Sequence, residues 1–106
     1  MAFSIKQNDT SPSLQATLKD AAQDPINLTG ATVRFHMKSV DGTLKIDEVM
    51  TIVTAASGIV QYDWQSGDTD TVGTYYVEFE VTYNDASVET FPNNGNKTIS
   101  VVRELN

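Results

Sequence analysis

The run "SGDTDTVGTYYVEFEV", residues 66–81, crowds two aspartates, three threonines and two glycines into residues 66–74 and then alternates strictly. Carried on to residue 83, it sets Tyr75, Val77, Phe79, Val81 and Tyr83 on one parity and Thr74, Tyr76, Glu78, Glu80 and Thr82 on the other. Successive side chains of a strand point to opposite faces, so the pattern predicts a strand over 74–83 with one face buried.

Working outward, the same period recurs. "ATVRFHMK" puts Val33, Phe35 and Met37 on one face and Arg34, His36 and Lys38 on the other. In "GIVQYDW", Val60, Tyr62 and Trp64 alternate with Gln61 and Asp63; "SLQATLKD" aligns Leu14, Ala16 and Leu18; "KTISVV" aligns Ile99 and Val101; "FSIK" aligns Phe3 and Ile5. Turn chemistry separates these pieces. Asp41-Gly42 reads as a two-residue hairpin joining 32–39 to 44–53. Asn84-Asp85 turns 74–83 back into "SVETF", although Ala86 stands where a glycine is easier. "DPINLTG" is a loop before residue 31, and "AASG" holds a tight turn at 55–58. "FPNNGN" breaks the last strand, because Pro92 has no N–H to donate and Gly95 frees the backbone. Seven to eight short strands so spaced predict an all-β, antiparallel β-sandwich, one domain over residues 1–106. Its expected core is Leu14, Leu18, Val33, Phe35, Met37, Val60, Tyr62, Trp64, Tyr75, Val77, Phe79, Val81, Ile99 and Val101.

Three chemistries compete for the acidic opening. Asp63, Asp68 and Asp70 are candidate ligands for calcium, which takes six to eight oxygens, but the spacing is not that of an EF-hand loop. Paired carboxylates for hydrolysis need a concave site that a small sandwich with polar loops offers poorly. The structural reading accounts for more. Gly73-x-Tyr75-x-Val77 at the head of a long strand resembles the tyrosine corner of immunoglobulin-like sandwiches, in which the phenol bonds back to the chain. Asp68 and Asp70 then cap backbone amides in the turn. On this reading the sandwich is immunoglobulin-like and binds no metal or cofactor.

Enzymatic function has no residue to rest on. The single histidine, His36, lies between Arg34 and Lys38 on a polar face, and there is no cysteine, phosphate loop, GxSxG or HExxH. Arg34, His36, Lys38 and the polar-face aromatic Tyr76 form a candidate interface, with Glu78 and Glu80 facing the basic row if the two strands pair. Fourteen acidic against seven basic residues give a net charge of -7, which repels nucleic acid. No apolar run approaches a membrane span, and the start has no pattern of a secretory leader.

Across most of its length the chain resembles the N-terminal domain of phage baseplate upper proteins. The resemblance is carried by "DPINLTGATVRFHMKS", "ASGIVQYDWQSGDTDTVGTYYVEFEVTY" and "ETFPNNGNKTISV"; Asp85-Ala86 stands where the family has aspartate-glycine. It implies a non-enzymatic virion structural protein, present in several copies or as a homo-oligomer and docking on other virion proteins. Such domains commonly head longer proteins, whereas this chain ends at Asn106, so the expectation is an accessory of the tail, baseplate, neck or capsid surface. The polar segments 1–12 and 103–106 are expected to dock on neighbours. The alternative is a module binding host-surface carbohydrate, with calcium at the Asp68–Asp70 turn.

Overall fold

The computed structural model describes residues 2–92 and 97–105. Its strands are β1 Ala2–Lys6, β2 Leu14–Thr17, β3 Thr32–Ser39, β4 Leu44–Val49, β5 Thr51–Thr54, β6 Ile59–Tyr62, β7 Gly73–Thr82, β8 Val88–Phe91 and β9 Lys97–Val102, with a 3-10 turn at Ala55–Ser57. They build a β-sandwich. A six-stranded sheet ordered β1-β9-β7-β3-β4, with β8 also on β7, faces a three-stranded sheet ordered β2-β6-β5.

Strand β7 anchors the larger sheet because its alternation is the longest. It pairs with β3 so that Val81 meets Val33, Phe79 meets Phe35 and Val77 meets Met37, all pointing inward. Its other side pairs first with β9 and then with β8. Those two strands share one lane, interrupted after Phe91 where Pro92 has no N–H to give. Gly95, expected to free the chain at this break, lies outside the described residues. Every expected core residue is buried, and Ile5, Leu28, Ile46, Met50 and Phe91 join them. Phe35 sits at the centre of an aromatic cluster, with ring centroids 4.9 Å from Tyr62, 5.8 Å from Phe79 and 6.1 Å from Trp64. The Trp64 indole N–H donates to the Pro12 carbonyl at 3.1 Å, so its one polar group is satisfied inside.

Several expectations are corrected. The strands among the described residues number nine rather than seven or eight, because 44–53 is not one strand. The Met50 N–H bonds the Val33 carbonyl at 2.8 Å while its side chain drops between the sheets. Beyond it the chain leaves β3 and pairs with β6 as β5. The pairing is not wholly antiparallel either. β1 runs parallel to β9, Phe3 beside Ile99 and Ile5 beside Val101; no hairpin links these strands, so nothing local dictates their direction. Residues 2–6 of the expected N-terminal docking segment are therefore sheet, and the Gln7 N–H continues the ladder to the Val102 carbonyl.

Two hairpin turns are longer than two residues. Ser39 N–H bonds the Thr43 carbonyl and Gly42 N–H bonds the Ser39 carbonyl, a three-residue connection whose last member, Gly42, has φ +92°. Asn84–Asp85–Ala86 repeats the geometry, and there Ala86 takes φ +70° without being glycine.

Candidate docking surface

Each aspartate of the acidic turn has its own partners. Asp63 accepts from the Ser13 hydroxyl at 2.6 Å and Gln61 at 2.8 Å. Asp68 accepts from the Tyr62 hydroxyl at 2.6 Å and the Gln65 N–H at 2.8 Å, closing the turn. Among the described residues, Asp70 caps no amide of another residue, contrary to expectation. It takes the Lys45 ammonium at 2.6 Å and the Thr71 hydroxyl at 2.9 Å, because the turn reaches across to β4. The Lys45 hydrogen bond holds the Asp70 carboxyl below the usual carboxylate range, and the Ser13 hydroxyl does the same for Asp63. Among the described residues, no three His, Asp or Glu side chains gather as a metal-binding group.

At the head of β7, Tyr75 is buried and its hydroxyl donates to the Thr71 carbonyl at 2.6 Å. Val77, two residues on, faces the core. A Cβ on Gly73 would stand 3.9 Å from the Tyr75 ring. The phenol thus ties the strand to the turn that precedes it.

The outer face of the six-stranded sheet carries the basic row. Arg34 lies opposite Glu80, His36 opposite Glu78 and Lys38 opposite Tyr76. His36, Lys38, Tyr76 and Glu78 line a depression of about 250 Å³ that runs up to Val40 and Gly42 in the β3–β4 turn. Tyr76 is 43% exposed there. Arg34 stands apart: its Nε and Nη2 donate to the Asp47 carboxylate and carbonyl at 2.9 and 3.0 Å.

The comparisons with known proteins fit this architecture. No protein of curated function matches the sequence. The family model described as the BppU N-terminal domain, the baseplate upper protein N-terminal domain, matches residues 2–101. The chain belongs to this family. Among solved structures, CopC from Methylosinus trichosporium OB3b aligns with a TM-score of 0.57 over 98% of this chain and 86% of that one, at 12% identity. That likeness concerns the β-sandwich alone. Membership of the BppU N-terminal family gives the chain a structural role in the phage baseplate, among other virion proteins.

In this BppU-type sandwich the ion pairs of the basic row differ from the expected ones. They run to Asp47 on β4, which Arg34 and His36 Nε2 approach at 2.9 and 3.1 Å, and among the described residues none reaches Glu78 or Glu80. A short aspartate beside the Arg34 guanidinium and the His36 imidazole offers a fixed acceptor, whereas the longer glutamates remain solvated. Among the described residues Lys38 forms no such pair, which leaves it and Tyr76 as the uncommitted centre of the face. Tyr62 and Trp64, each 4% exposed, belong to the core and present no sugar-stacking platform.

Proposed function

We propose that the chain is a non-enzymatic structural module of the phage particle, docking on another virion protein through the outer face around Lys38 and Tyr76. The observation that carries the reading is the match to the BppU N-terminal domain over residues 2–101. The face suits docking because a half-exposed aromatic beside an uncommitted cation presents apolar area and directional charge together. Multiple copies per particle follow from the symmetry of virion assemblies.

The test is incorporation into assembling particles of the wild type, Lys38→Glu and Tyr76→Ala, each first checked for wild-type melting. Loss of incorporation in folded variants is the expected result. Full incorporation of both overturns the outer face as the docking site. A glycan array run with and without calcium addresses the other reading: a specific, calcium-dependent glycan signal replaces docking by carbohydrate recognition.

A further inference from the structure

The fork at Met50 has a second consequence, on the side of the sandwich away from β1. Residues 44–54 form one edge of each sheet, first as β4 and then as β5. Edge strands of soluble proteins carry devices against pairing, such as lysines, prolines and bulges. β4 has them: Asp47 and Glu48 are charged, and its register shifts opposite Lys38. β5 has no charge and no proline, and its one irregularity is a register shift against β6 between Ile52 and Thr54. Its sequence is Thr-Ile-Val-Thr, every residue β-branched, with Val53 47% exposed and Val49 just before it 61% exposed. Among the described residues, no backbone bond reaches the side of β5 away from β6.

Beside this edge, between the end of β4 in one sheet and β6 in the other, lies a notch of about 280 Å³ whose lining includes Tyr62. Its charged lining residues are Glu48 and Asp63, and Gln61, Gln65 and Thr51 supply the rest of its polar wall. Asp63 is held by Ser13 and Gln61, and Glu48 makes no ion pair among the described residues. The notch therefore has the polarity and size for a lysine or arginine side chain.

We infer that β5 accepts an extended, basic segment of another virion protein as an added strand, with one of its cationic side chains entering the notch between β4 and β6. Main-chain bonds supply affinity in such pairing, and side-chain pockets supply specificity. Charge selects this occupant over a second copy of the chain, since two copies, each of net charge -7, would bring two acidic notches together. The inference rests on the virion reading above but uses a different face.

Incorporation into particles again gives the test, with Val53→Lys to charge the edge and Glu48→Lys to fill the notch with a like charge. Both variants should melt like the wild type, since both side chains are exposed, and should be incorporated at least tenfold less. A photocrosslinking residue at position 53 should capture a segment containing lysine or arginine from a different virion protein. Folded variants incorporated at the wild-type level would overturn the inference while leaving the virion role intact. Capture of a second copy would also overturn it. Absence of the wild type itself from particles would instead remove the virion reading.

Discussion

At Tyr75 one hydroxyl joins a strand to the turn before it. The bond to the Thr71 carbonyl is short and shielded, so Tyr75→Phe leaves that carbonyl without its partner while the ring keeps its packing. The expected cost is about 1 kcal/mol, read as a lower urea midpoint at an unchanged slope. An unchanged midpoint would show that the phenol does not secure the corner. Ala86 offers the opposite sign. An alanine at φ +70° bears a strain of about 1–2 kcal/mol that glycine lacks, while glycine costs about 0.5–1 kcal/mol in the unfolded chain. Ala86→Gly should therefore stabilise by about 0.5–1 kcal/mol, visible as a rise in melting temperature.

Among the elements, the 3-10 turn between β5 and β6 fastens the smaller sheet to the loop after β2. Gly58 N–H closes the turn on the Ala55 carbonyl, and the Gly58 carbonyl accepts from Leu18 at 2.8 Å. At φ +67°, a Cβ there would lie 2.7 Å from the Leu18 oxygen and 2.9 Å from the Ile26 oxygen, both backbone atoms with little freedom to yield. Gly58→Ala should cost about 2–4 kcal/mol in chemical denaturation, from left-handed strain plus the displaced loop. A loss below about 0.5 kcal/mol would mean that the loop yields freely.

The strands that carry a clean period were legible in the sequence. β3 and β7 alternate over their whole lengths, and their inward residues are buried as read. The fork at Met50 was not legible, because residues 44–53 keep a strand-like composition throughout and the change of sheet depends on a bond to distant Val33. Leu28 escaped notice for a similar reason: it is the lone buried residue of a polar loop and belongs to no period. On the candidate surface, the basic row was visible from its alternation. Asp47 as its partner was hidden, since the register of β4 depends on an irregularity beside Lys38 that local sequence does not announce. The β5 edge was readable in composition, Thr-Ile-Val-Thr, but its place at the margin of a sheet is a property of the assembled fold.

Over the whole molecule the charges predict how stability responds to pH. Asp41, Asp47, Asp63, Asp70 and Asp85 all lie below the usual carboxylate range, chiefly through hydrogen bonds from Ser39, Arg34, Ser13, Lys45 and Ser87 respectively. Their carboxylates take up protons more readily in the unfolded chain, so their contribution is complete above about pH 5 and is lost as pH falls through about 4 and below. Tyr62 and Tyr83 are displaced upward, first by burial and then by hydrogen bonds to Asp68 and Glu89, with Tyr83 pushed up to about 12. Their contribution is whole below about pH 10 and declines as pH rises toward their folded values. The urea midpoint should therefore be level from about pH 5 to about 9 and fall on both sides. A midpoint that rises on acidification would contradict the assigned hydrogen bonds.

The same scale holds the central claim, that this sandwich is a built-in part of a phage particle. Quantitative mass spectrometry of gradient-purified particles tests it most directly. The account predicts the chain at a constant copy number per particle, in simple ratio to the other baseplate proteins and unchanged by further purification. Its absence from purified particles, or an amount that washes away with successive gradients, would contradict it.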